Sequence, residues 1–165
     1  MIHPQFLLPQ LNTGERAFGA VQAGYGQITD RTTQAQTVTA GWTPVLNYDT
    51  ALTNPIGVTQ NLANGTLAIS TFGKYVLIFG IDITFTSLNS GRKTYLRLFN
   101  VTDNVVVADI TIPIGRDVDA AVGASSIIFT VTGTGKTARL EIGGGDALAN
   151  CQRLGANFGV YRISA

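Results

Sequence analysis

Cysteine, histidine and charge are all scarce in this 165-residue chain. Cys151 is the single cysteine, so no internal disulfide forms and no cysteine pair is there to hold a metal. A lone small apolar side chain of this kind reads as a core residue. His3 is the single histidine. That nearly excludes a catalytic dyad or a metal centre built on imidazole. Charged residues make up 13% of the chain, roughly half the usual share of about 25%. The 11 Lys and Arg against 10 Asp and Glu leave a net charge of +1. This provides no basic face for nucleic acid. No run of like charges suggests a membrane surface or an acidic tail. No apolar run approaches the roughly 18 residues of a membrane-spanning helix. The opening "MIHPQFLLPQL" lacks a basic start and is broken by Pro4 and Pro9, so no export signal is expected there.

What is present is glycine, small polar residues and alternation. The 19 glycines point to many turns. Residues 1–40 show no helical period, yet Phe6, Leu7, Leu8, Leu11, Phe18, Tyr25 and Ile28 are too apolar for a free tail. This stretch is expected to be an extended arm lying on a partner or on its own domain. From Trp42 onward strands dominate. In "KYVLIFGIDITF" (74–85), Tyr75, Leu77, Phe79, Ile81, Ile83 and Phe85 share one face. Further strands are predicted at 94–100, 105–112, 126–131, 136–142 and 158–163, with weaker ones at 42–46 and 65–70. The pattern is that of an all-β sandwich or barrel.

The stretch "VTGTGKTARL" (131–140) ends like a phosphate-binding loop, with Gly135-Lys136-Thr137. The first glycine of that motif would fall at position 130, which is Thr130. The motif also needs a helix after it to hold phosphate, and "TARLEI" alternates as a strand. The expectation is a hairpin joining strands 126–131 and 136–142, with Lys136 in solvent and Thr137, Arg139 and Glu141 outward. Asp117 and Asp119 stand two apart in "GRDVDA", but without further oxygen ligands they read as a solvated loop. Asp82 is expected to pair with Arg97 or Arg139 across strands. Trp42 reads as a core or interface aromatic, with sugar stacking as the other use of such a ring. No nucleophile with a base, no paired acids and no metal cluster is found. The reading is therefore non-enzymatic, with no catalytic, cofactor or metal residues, no cofactor and no small-molecule substrate.

Three stretches in order carry a resemblance. "FGKYVLIFGIDITF" (72–85) resembles the Gly-x-Tyr-aliphatic strand of complement globular-head domains. "ASSIIFTVTGTGKTARLEI" (124–142) resembles their later strands around a glycine turn. "NFGVYRI" (157–163) is similar to their final strand, although Phe158 is adjacent to Gly159. The resemblance spans roughly residues 60–165. It implies the antiparallel jelly-roll sandwich and the trimers of that family and of the related tumour-necrosis-factor family. Jelly rolls of this kind also occur in bacteriophage virion proteins, which the low cysteine content and the apolar arm resemble more closely. The expectation is then an arm over 1–40 and a jelly-roll domain over 41–165, forming a homotrimer. Tyr75, Tyr95, Phe99 and Tyr161 are candidates for the trimer seam. The function implied is a capsid decoration or cement protein, made in the host cytoplasm and placed on the capsid exterior. It would bind the major capsid protein or another virion protein through the arm. The other reading is a head-fibre or tail-tip knob that binds a receptor or glycan.

Overall fold

The computed structural model describes residues 24–85, 93–113, 120–133, 135–143 and 148–164. Twelve strands are present among them: β1 (Tyr25–Asp30), β2 (Gln34–Val38), β3 (Trp42–Pro44), β4 (Thr50–Ala51), β5 (Val58–Asn61) and β6 (Thr66–Ile69), then β7 (Gly73–Phe85), β8 (Lys93–Asn100), β9 (Val105–Pro113), β10 (Ala120–Val131), β11 (Lys136–Gly143) and β12 (Leu148–Ser164). They form two six-stranded antiparallel sheets. The first runs β10-β7-β12-β1-β4, with β2 also on β12. The second runs β5-β6-β11-β8-β9, with β3 also on β11. Neighbours in space are rarely neighbours in sequence, as expected of a sandwich with long crossovers.

Period-2 alternation explains most of the core. Tyr75, Leu77, Phe79, Ile81 and Ile83 of β7 point inward and are fully or almost fully buried. They meet Leu67 and Ile69 of β6, Leu96 and Leu98 of β8 and Ala138, Leu140 and Ile142 of β11 from the opposite sheet. Burying one such aliphatic or aromatic side chain contributes about 1.5–3 kcal/mol, so this layer holds the two sheets together.

The strands depart from the sequence reading in several places. Residues 25–38, expected in the arm, form β1 and β2, and both pair with β12. Alternation over so few residues, mixed with Thr and Gln, is too weak a local signal to mark them. The hairpin expected at 126–142 does not form. β10 pairs with β7 in the first sheet, whereas β11 pairs with β3, β6 and β8 in the second. The glycine stretch is therefore a crossover between layers. Gly133 takes φ 74°, a left-handed angle that favours glycine. Gly135 has a different role: a Cβ there would lie 2.5 Å from the Ile69 carbonyl oxygen. Finally, β10 begins at Ala120 and β12 at Leu148, both well ahead of the predicted starts. Their leading halves, rich in Ala, Gly, Ser and Asn, lack strand propensity and are held by neighbours on the sheet.

Candidate interaction surface

The outward face of the first sheet is the most unusual surface of the described residues. The outward side chains line up in rows across β1, β12, β7 and β10. One row is Tyr25, Tyr161, Val76 and Ile128; the next is Gln27, Gly159, Ile78 and Ser126. A third is Thr29, Asn157, Gly80 and Ala124, and a fourth begins Gly155, Asp82 and Val122. Ile128 is 63% exposed, Ile78 42% and Tyr161 37%. These apolar groups are continuous across strands about 4.8 Å apart. Along β7 the face carries two charges, Lys74 at one end and Asp82 towards the other. A sheet face on a monomer in water ordinarily alternates apolar-in with polar-out, and this one is apolar on both sides over half its length.

The other half of the face is a shallow groove of about 350 Å³. It exists because glycine replaces side chains there. A Cβ on Gly80 would lie 2.7 Å from Asn157 Oδ1 and 3.2 Å from Ala124 Cβ, so only glycine lets Asn157 lie across β7. Asp82, Asn157, Thr29 and Gln27 line the groove with polar groups, and Arg31 stands at its rim. The Tyr161 hydroxyl donates to Gln27 Oε1 at 3.3 Å and joins the two halves.

The second sheet carries a different cluster. Glu141, expected outward, is 2% exposed. Arg97 and Arg139 hold its two carboxylate oxygens, with Arg97 Nε at 2.6 Å and Arg139 Nε at 2.8 Å. The Arg97 guanidinium also lies 4.1 Å from the Trp42 ring centroid and 4.8 Å from that of Phe99. Asp82 is in the other sheet, so neither arginine pairs with it. Trp42 thus stacks on a cation of its own chain.

Lys136 does not stand free in solvent either. Its Nζ lies 2.6 Å from Asp103 Oδ1, which ties the start of β11 to the β8–β9 turn. This cation holds Asp103 below the usual carboxylate range. Strand geometry after Gly135 leaves no helix N-terminus for a phosphate. Asp117 and Asp119 lie outside the described residues. Among the described residues no group of three or more His, Cys, Asp or Glu is placed to hold a metal ion. Cys151 is buried on β12, and burial pushes its thiol up to about 11, which leaves it unreactive near neutral pH.

The expected contact residues are scattered by the fold. Of the arm set, Phe6, Leu7, Leu8, Leu11 and Phe18 lie outside the described residues. Ile28 is fully buried in the core. Tyr25 is half-buried opposite Tyr161. Of the seam set, Tyr75 points into the core, with its hydroxyl donating to the Thr71 carbonyl at 2.8 Å. Tyr95 and Phe99 stand on the second sheet beside Trp42 and Arg97. Only Tyr161 of the four lies on the bare apolar face. Ile78 alternates with the core face of 74–85, beside Val76 and Gly80, and that apolar stretch is its signal in the sequence. Ile128 and Val122 join it on the surface only because β10 lies beside β7.

No family model matches the chain, and no curated protein matches it in sequence. Solved structures do resemble it. The globular domain of zebrafish complement 1qA protein superposes with a TM-score of 0.56 at 15% identity, covering 86% of this chain and 98% of that one. Murine APRIL superposes with a TM-score of 0.53 at 11% identity, covering 86% of this chain and all of that one. At such identities the likeness speaks for the fold alone. Two antiparallel sheets in this order, matched over nearly the whole of both solved domains, make the chain a jelly-roll sandwich.

Proposed function

We propose that this chain is a non-enzymatic virion structural protein, a capsid decoration or cement protein that trimerises through the outward face of its first sheet. The observation that carries the reading is that face: Ile78, Ile128 and Tyr161 form an apolar band interrupted by few charges. Covering it with another copy removes apolar area from water at about 25 cal/mol per Å² and desolvates little charge, which would be costly. The trimeric habit implied by the complement-head and tumour-necrosis-factor resemblance agrees with this use. The low charge of the 34–72 segment, where Asp49 is the single ion, suits further burial against a capsid. In this reading Phe6, Leu7, Leu8, Leu11 and Phe18 supply the capsid contact, and the protein resides on the capsid exterior.

The test has two arms. Light scattering should give a trimer for the parent chain and a monomer for Ile78→Lys, because one buried ammonium per contact lacks a partner. Co-sedimentation with bare capsids should be lost on deleting residues 1–23. A monomeric parent chain sinks the trimer, and unchanged sedimentation of the deletion sinks the arm contact.

A further inference from the structure

The groove on the first sheet gathers polar side chains that the fold itself does not use. Asp82, Asn157 and Arg31 line it. Among the described residues, no hydrogen bond or ion pair engages any of these three side chains. Asp82 and Asn157 are both half-buried, so part of their hydration is lost on folding without a protein group to replace it. A carboxylate and a carboxamide in that position ask for a partner from outside. Thr29 adds a hydroxyl to the lining. Asp30 adds nothing, because Arg153 and Thr32 already take its carboxylate.

The floor of the groove is open beyond what the fold requires. Gly80 is needed, because Asn157 lies across it. Gly155 is not needed in the same way. Its φ is not positive, and a Cβ there would meet only the Asp30 carbonyl oxygen, at 3.2 Å. A small shift would admit a side chain, yet the position is glycine. β12 also breaks register with β7 between Arg153 and Gly155. Bulges of this kind are common next to active sites, where they re-aim side chains.

The lining selects the ligand. One carboxylate and one guanidinium balance each other, so neither an anion nor a cation is favoured. Asp82 accepts only, Arg31 donates only, and Asn157 and Thr29 do both. A hydroxyl group also does both, so a ring that carries several can satisfy all four. Asp82 pairs with Gly155, and Asp30, next to Arg31, pairs with Ala156. The two charges therefore stand on the strands either side of β12, two spacings of about 4.8 Å apart at the backbone. A sugar ring with a hydrogen bond of about 2.8 Å on each side spans that gap. The two charges of a free α-amino acid, one carbon apart, reach only one side of it. Val122 and Ala124 border the groove along β10, and Val122 is 69% exposed, an apolar wall for the C–H face of the ring. We propose that this groove binds a neutral sugar unit, with Asp82, Asn157 and Arg31 holding its hydroxyls over Gly155. The site uses none of Ile78, Ile128 or Tyr161, so it goes beyond the contact proposed for the trimer and does not depend on it.

The test is saturation-transfer difference NMR on the full chain with glucose, galactose, mannose and N-acetylglucosamine, and with short oligomers of each. At least one should bind, with a dissociation constant on the order of 1 mM for so shallow a site. An oligomer that binds more tightly than its monomer assigns an internal unit of a glycan, and equal binding assigns a terminal one. Asp82→Ala removes a charged acceptor and should weaken binding about tenfold or more. Gly155→Ala puts a methyl group on the floor and should abolish it. Both variants should keep the circular dichroism spectrum of the parent chain. Ile78→Lys should bind as the parent chain does, so loss of the trimer and loss of the sugar site give different results. The proposal is overturned if none of these sugars binds the parent chain. It is also overturned if natively folded Asp82→Ala binds as tightly as the parent chain, which would place the sugar elsewhere. Binding that disappears in Ile78→Lys overturns it too, because the site would then belong to the assembled copies and not to one groove.

Discussion

Arg153 is the largest of the fully buried side chains, and its four hydrogen-bonding contacts explain how a charge survives there. Its Nε reaches Asp30 Oδ2 at 2.6 Å, Nη1 donates to the Leu46 carbonyl at 2.7 Å, and Nη2 donates to the Asn47 carbonyl at 3.0 Å. The same nitrogen also bridges to Asp30. Arg153→Met would leave the Asp30 carboxylate buried without its cation, and should cost about 3–5 kcal/mol in urea unfolding. Asp30→Leu combined with Arg153→Met should recover part of that loss, because no unpaired charge then remains. Asp103 gives a prediction in pH. Lys136 lowers its pKa below 3.8 in the folded state, so its contribution is present above that value and disappears as pH falls through the folded pKa. The midpoint of thermal unfolding should therefore drop more steeply in acid for the parent chain than for Asp103→Asn. A pair of parallel curves would mean that Lys136 does not hold Asp103. Neither pairing was legible in the sequence, because Asp30 and Arg153 lie 123 positions apart and charge alone does not select a partner.

At the scale of elements, strands with one clearly apolar face were legible almost to the residue. β7, β8 and β11 are examples, since the pleat puts alternate residues on one side whatever the neighbours do. β1 and the leading half of β10 were not, because Gln, Thr, Ala, Gly and Ser hold a strand only when a neighbour supplies the hydrogen bonds. The crossover between β10 and β11 shows the same limit from the other direction. Two good strands around a glycine turn read as a hairpin, yet each finds its partners in a different sheet. That crossover depends on Gly135, which sits against the backbone of β6. Gly135→Val should lower stability by about 1–3 kcal/mol, measured by chemical denaturation. Gly133 faces open space, where a Cβ meets nothing within 4 Å, so any cost of Gly133→Ala comes from its backbone angle alone. A Gly135→Val protein as stable as the parent chain would show that β11 can move away from β6.

For the whole molecule, an apolar face that meets another part of its twin is consistent with a three-fold ring, and the solution mass of Ile78→Lys against that of the parent chain reads this contact. The sequence by itself determined the fold class, most of the core and the poverty of charge, because alternation and composition are local properties of the chain. Only the tertiary structure decided that Ile78, Ile128 and Tyr161 share one bare face, that Glu141 is buried between two arginines, and that β10 and β11 belong to different sheets. Those facts depend on which strands pair, and pairing is settled by long-range hydrogen bonds and packing.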